Sequence, residues 1–151
     1  MAGMSAAMGH VLLVEDEINI AEAIRFLLTR EGWQVDVHAN GSDAVAKITE
    51  CAPDLVILDL MLPGKSGLEI IKELRQQDSF SDLPVLMLTA RGAIKDREMA
   101  EKAGVTRFMT KPFANSEVLT AVRDLRAQAL QRQGASDAEA GSVAAVAAKQ
   151  G

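Results

Sequence analysis

The sequence predicts an α/β domain built on a parallel sheet with helices on both faces. Three observations predict it. Continuous apolar runs recur at Val11-Leu12-Leu13-Val14, Leu55-Val56-Ile57-Leu58 and Val85-Leu86-Met87-Leu88. Runs this short, apolar on both faces, suit central strands covered from either side. Segments with helical apolar spacing lie between them, and strict strand-helix alternation with right-handed crossovers gives a doubly wound sheet. Finally, 151 residues, 48% of them hydrophobic, suffice for one domain that buries roughly 70% of its unfolded-chain surface.

Residues 1–9 (MAGMSAAMG) lack both the basic start and the apolar stretch of a secretory signal, and are expected to form a flexible leader. After the first strand, Ile20, Ile24, Leu27 and Leu28 make the stripe of the first helix, with Gly32 at its stop. Trp33-Gln34-Val35-Asp36-Val37 alternates, as an edge strand would. Gly41 then marks a turn before the second helix. The third strand stops at Asp59, and Ser66 with Glu69 forms a capping box that opens the third helix. The fourth strand ends at Thr89, and Gly104 precedes a short, partly polar strand, Thr106-Arg107-Phe108-Met109, the second edge. Val118, Val122, Leu125 and Ala129 stripe the last helix, with Asn115 or Ser116 as its cap. Residues 10–130 are thus expected to form the domain. Residues 131–151, rich in Ala, Gly and Gln, are expected to be a disordered tail. Three central and two edge strands match the order 2-1-3-4-5 of flavodoxin-like (βα)5 sheets, whose ligands sit beyond the carboxyl ends of the strands.

Composition excludes several functions. A net charge of −5 with no Lys/Arg block argues against direct nucleic-acid binding. No apolar run approaches the ~20 residues that span a bilayer. The single Cys51 and the absence of zinc-ligand spacing point to the reducing cytoplasm. His10 and His38 have no partner at ligand or triad spacing and read as structural or exposed.

Chemistry gathers at the strand ends. The first strand ends in Glu15-Asp16, the third in Asp59 and the fourth in Thr89, while the fifth runs into Lys111-Pro112. Crowded carboxylates repel one another, and keeping them ionised requires a cation; oxygen ligands of this kind suit Mg²⁺. Lys111 supplies a fixed positive charge and Thr89 a hydroxyl, a pair suited to a tetrahedral anion such as a phosphoryl group. Asp59 is then the chemical centre, since a carboxylate can itself accept a phosphoryl group.

Val14-Glu15-Asp16, Leu58 to Gly64 (LDLMLPG), Leu88-Thr89-Ala90 and Thr110 to Phe113 (TKPF), in this order, strongly resemble the receiver domain of two-component response regulators, from about His10 to Leu130. The resemblance implies that Asp59 is the phosphoacceptor, that Glu15 and Asp16 help hold Mg²⁺, and that the backbone carbonyl of Met61 is another ligand. It also implies that Thr89 and Lys111 bind the phosphoryl oxygens, that Phe108 is the aromatic switch, and that the Lys111-Pro112 bond is cis. Met61 and Arg91 would flank the path of hydrolytic water and set the dephosphorylation rate. The function implied is a phosphorylation switch, not an enzyme in the ordinary sense; it is expected to stand alone, because the residues after Leu130 are too few and too small to make the core of an output domain. A sensor histidine kinase or histidine phosphotransfer protein would phosphorylate it, and the face made by the fourth helix, fifth strand and fifth helix would signal to a protein target.

Other readings stand beside this one. Asp59 alone could be a turn residue, and Glu15 and Asp16 could be first-turn charges favoured by the helix dipole. Gly64-Lys65-Ser66 imitates the end of a phosphate-binding loop, but Asp59 stands where that motif needs its first glycine. An aspartate-nucleophile phosphatase would place a second Asp where the chain has Met61. The chain could also be the receiver fragment of a DNA-binding transcriptional regulator, as its wording is similar to receivers that dimerise. Thr106 and Arg107 stand where those relatives commonly carry acidic residues, so the expected state is monomer or phosphorylation-dependent dimer.

Overall fold

The computed structural model describes residues 8–90 and 94–150, with side chains described as far as residue 132. Strands β1 (Gly9–Val14), β2 (Trp33–His38), β3 (Leu55–Asp59), β4 (Val85–Thr89) and β5 (Arg107–Thr110) alternate with helices α1 (Ile18–Arg30), α2 (Ala44–Cys51), α3 (Gly67–Arg75), α4 (Ile94–Ala103) and α5 (Asn115–Gln150). All strand pairs are parallel, in the order β2-β1-β3-β4-β5. This is the flavodoxin-like order.

The strand pleat divides the core in two. On one face Val11, Leu13, Leu55, Ile57, Leu86 and Leu88 pack under α1 and α5, through Ile24, Leu28, Val118, Val122 and Leu125. On the other, Leu12, Val14, Val56, Leu58, Val85 and Met87 pack under α2, α3 and α4, through Ile48, Ile70, Ile71, Leu74 and Ala100. Each central strand therefore feeds both cores, which is why its sequence is apolar throughout rather than alternating. Because all five strands run the same way, their carboxyl ends meet along one edge.

Local signals account for most boundaries. Ser66 caps α3 through its side chain and Glu69 returns the favour, completing the capping box. The start of α5 differs from the expected cap: the helix begins at Asn115, and Glu117 accepts from Ala114 N–H at 2.7 Å. A carboxylate folded back from the first turn does the work assigned to Asn115 or Ser116. Strand β1 begins at Gly9, one residue before the expected domain start, with Met8 N–H donating to Gly32 O at 2.9 Å; residues 1–7 of the leader lie outside the described residues. Helix α5 runs on past Leu130 to Gln150, and Ala129 is the last of its described side chains to be buried. The imidazoles of His10 and His38 lie 2.6 Å from Asp36 and Asp43, partners that sheet pairing and the turn after β2 supply.

Arg75 braces the α3 end of the second core. It donates to Phe80 O at 2.7 Å, Gly104 O at 2.9 Å and Thr106 Oγ1 at 3.3 Å, and Thr106 Oγ1 in turn accepts from Val85 N–H. Desolvation lowers the Arg75 pKa from its ordinary value. Arg75→Met is expected to cost about 1–3 kcal/mol in urea unfolding, because carbonyls left half-buried lose their donor. A loss below about 0.5 kcal/mol would mean that water replaces the guanidinium.

Candidate functional site

At the carboxyl edge of the sheet, β1 delivers Glu15, β3 Asp59 and β4 Thr89, and each is buried at 0–3% exposure. Polar side chains this deep need partners. The loop after β5 delivers Lys111, whose bond to Pro112 is cis. Its ammonium lies 2.9 Å from Glu15 Oε1, 3.1 Å from Asp59 Oδ2 and 3.6 Å from Glu17 Oε1. Asp59 Oδ1 accepts from Met61 N–H at 3.0 Å, and Glu15 Oε2 from Glu17 N–H at 3.1 Å. One lysine thus faces three carboxylates.

Electrostatics follow from that imbalance. Burial first, then the facing Asp59 carboxyl, push Glu15 from its ordinary 4.5 up to about 7, against the pull of Lys111. Burial acts to lower the Lys111 pKa, but its two carboxylate partners outweigh it and raise the value above the ordinary range. Glu15 Oε1 is close to Lys111 yet takes no well-angled hydrogen bond. The cluster is short of positive charge.

Glu15, Asp16 and Asp59 each offer a carboxylate oxygen, and the three lie within 4.8 Å of one another. Ligands about 2.1 Å from a small hard cation lie ~3–4 Å apart around its octahedron, so the donor set and spacing fit Mg²⁺. Asp16 is exposed and Glu15 and Asp59 are buried, leaving the Asp16 side of the cluster open to solvent.

Close backbone packing holds the loop after Asp59. A Cβ on Gly67 would stand 2.4 Å from Asp59 O, so α3 can start directly beneath Asp59 only with glycine there. A Cβ on Gly41 would stand 1.9 Å from Lys65 O, and Gly41 N–H donates to Pro63 O at 2.9 Å. The turn after β2 is thereby pressed onto the loop that carries Met61. The Met61 side chain is 54% exposed at the mouth of the site.

Among the sequence-predicted residues, the structure brings Glu15, Asp16, Asp59 and Lys111 together, with Thr89 at the adjoining strand end. Phe108 lies half-buried on β5, its ring beneath the Arg97 guanidinium at 5.3 Å. Arg91 lies outside the described residues. Sequence reasoning missed Glu17, whose signal was a third acid following Glu15-Asp16 at a helix start. A cavity of about 620 Å³ lies at the opposite end of the sheet, lined by Asp54, Phe80, Pro84 and Arg126 among others. Its lining lacks any such convergence of carboxylates on a lysine.

The family model for the response regulator receiver domain matches residues 11–123. The chain is 40% identical over 116 residues to the transcriptional regulatory protein TrcR of Mycobacterium tuberculosis, covering 77% of this chain and 44% of that protein. It is 40% identical over 114 residues to the phosphate regulon transcriptional regulatory protein PhoB of Escherichia coli, covering 76% and 50% respectively. The chain spans about half the length of the curated relatives it matches. Among solved structures it resembles the Vibrio cholerae chemotaxis protein CheY4, with a TM-score of 0.74 and 30% identity over 79% of this chain and 99% of that one.

Proposed function

The chain belongs to the response regulator receiver domain family, and from that premise we propose that it is a phosphorylation switch with Asp59 as phosphoacceptor. The observation that carries the reading is the convergence of buried Asp59, Glu15 and Lys111 beside an open, cation-poor edge. Asp59 attacks in line, so a new P–O bond forms as the donor's P–N or P–O bond breaks and the donor keeps that electron pair. Lys111 and Thr89 hold the phosphoryl oxygens. Glu15, Asp16, Asp59 and the Met61 carbonyl would hold Mg²⁺, which when bound supplies charge neutralisation between the carboxylates and the phosphoryl group. The test is intact mass after incubation with acetyl phosphate: one added phosphoryl group with Mg²⁺ and none with EDTA. Equal labelling under both conditions would defeat the reading.

The physiological donor is a phosphohistidine on a sensor histidine kinase or phosphotransfer protein in the cytoplasm. Drawing Thr89 toward the phosphoryl group frees space for Phe108 to turn inward from under Arg97, which alters the surface of α4, β5 and α5 that a protein target reads. Two outputs fit: a stand-alone adaptor, or the receiver part of a longer transcriptional regulator, which the names and lengths of the relatives favour. The mass of the product in its native host separates them. Arg107 pairs within the chain with Asp124 at 3.1 Å, so any dimer through this face must break or bypass that pair.

The lifetime of the phosphorylated state depends on whether water is oriented for in-line attack. Met61 offers neither carboxylate nor amide for this task, and nor does Arg91, two residues after Thr89. Met61→Asn with Arg91→Glu is expected to speed phosphate loss by about ten-fold or more without slowing uptake, since general-base help typically contributes ~10²-fold and upward. Decay of the isolated phosphoprotein in Mg²⁺ measures it. A wild type that decays as fast as the double variant would overturn this account of water orientation.

A further inference from the structure

Glu17 stands at the N-cap of α1 with extended backbone, yet its side chain makes no capping hydrogen bond. Capping is done best by Ser, Thr, Asp or Asn, so this glutamate contributes little to the helix it begins. Its carboxylate turns the other way, to Lys111 Nζ at 3.6 Å, while remaining 61% exposed. It is therefore the outermost of the three carboxylates on one ammonium, and the one an incoming donor meets. Glu15, Asp16, Glu17 and Asp59 carry four acids against one lysine. With all four ionised, as cation binding requires, a divalent cation brings that sum from −3 only to −1.

We propose that Glu17 is a specificity-determining residue of the phosphoryl-accepting site. It holds off small free phosphoanions, and it favours a donor that carries positive charge beside its phosphoryl group. The proposal rests on the phosphoacceptor reading above. Glu17 acts twice in the same direction: its charge repels the donor's phosphoryl oxygens, and its hold on Lys111 competes with them for the ammonium. A donor with its own cation next to phosphorus offsets the first effect.

Two small probes differ in this respect. Acetyl phosphate is a dianion at neutral pH with no cation, and its transfer to Asp59 releases acetate. Phosphoramidate carries a protonated amine on phosphorus with a smaller net charge, and its transfer releases ammonia. Glu17→Gln keeps length and polarity while removing the charge. It is expected to raise the Mg²⁺-dependent labelling rate about five-fold for acetyl phosphate and about two-fold for phosphoramidate, as a unit charge several ångströms away in water would give. The gain should vanish near ~1 M salt, where the screening length falls to about 3 Å. Mg²⁺ affinity, titrated separately, should fall by no more than about five-fold, because the same unit charge acts on the cation from outside the coordinating set; labelling rates are therefore compared at saturating Mg²⁺.

Equal acceleration with both donors, or a gain that persists in high salt, would overturn the proposal. So would a large loss of Mg²⁺ affinity, which would make Glu17 a ligand instead. A wild type that neither donor labels would remove the phosphoacceptor reading and this inference together. A labelled wild type with an unchanged donor ratio in Glu17→Gln would remove this inference alone.

Discussion

Asp59→Asn is expected to reduce phosphoryl uptake to background while leaving the fold intact. Asp59 is 3% exposed, and both its oxygens are engaged, Oδ1 by Met61 N–H and Oδ2 by Lys111. Asparagine has the same shape, so its carbonyl oxygen can still accept from Met61, but its amide nitrogen offers no nucleophilic lone pair and faces an ammonium it cannot accept from. No second carboxylate takes over easily, since Glu15 is tied back to Glu17 N–H and Lys111 and Asp16 is exposed. Removing one buried acid also lessens the repulsion around Glu15, so the variant should be no less stable than wild type at neutral pH without Mg²⁺. Intact mass and peptide mapping after acetyl phosphate treatment measure the effect. Retention of the phosphoryl group on another residue would show that the convergence of side chains had been assigned the wrong centre.

The parts of this site that could be read in the sequence were those in which a local rule is broken. A buried apolar run that stops on a carboxylate, as at Leu58-Asp59, is costly unless that carboxylate has partners, and it drew attention for that reason. Lys111 before Pro112 and Thr89 at the end of a strand carry little information singly, and only their placement at ends of parallel strands gave them meaning. Which strands are central was readable because burial on both faces leaves a continuous apolar run, while the edges are alternating or short and partly polar; the order itself came from the match to flavodoxin-like sheets. Contacts across the sheet were not readable. The pairing of His10 with Asp36 depends on the register of β1 against β2, which no local pattern states. Glu17 escaped for the same reason: its partner Lys111 is 94 positions away, and its neighbour Asp16 was the more conventional ligand. The cap of α5 went to Glu117 instead of Asn115 or Ser116 because a helix start is decided by backbone angles within one residue, finer than propensity resolves.

Lys111→Met should destabilise the protein in a way that grows with pH. Lys111 is the ammonium shared by Glu15 and Asp59, with side-chain exposures of 10%, 0% and 4%, and breaking a buried pair by removing one partner costs about 3–5 kcal/mol when the other stays charged. Glu15 need not stay charged. Already in wild type its carboxyl is raised from 4.5 to about 7, by burial first and then by Asp59, with Lys111 acting in the opposite sense. As pH rises above 4.5, the unfolded chain gives up this proton while the folded chain keeps it until about 7. The folded state therefore binds more protons across that window, and stability falls with rising pH until the penalty is complete. Without Lys111 the carboxyl is driven further up, so the window widens toward alkaline pH and the added penalty is largest there. The loss relative to wild type should thus be smaller near pH 5.5, where Glu15 can remain protonated and only Asp59 loses its partner, and approach the full ~3–5 kcal/mol near pH 8 in EDTA. Saturating Mg²⁺ should recover part of the alkaline loss, since a cation binding only the folded state stabilises it by mass action. Urea unfolding of both proteins at the two pH values, with and without Mg²⁺, measures each quantity. Equal losses at pH 5.5 and pH 8 would show that the charge of Lys111 does not act on Glu15.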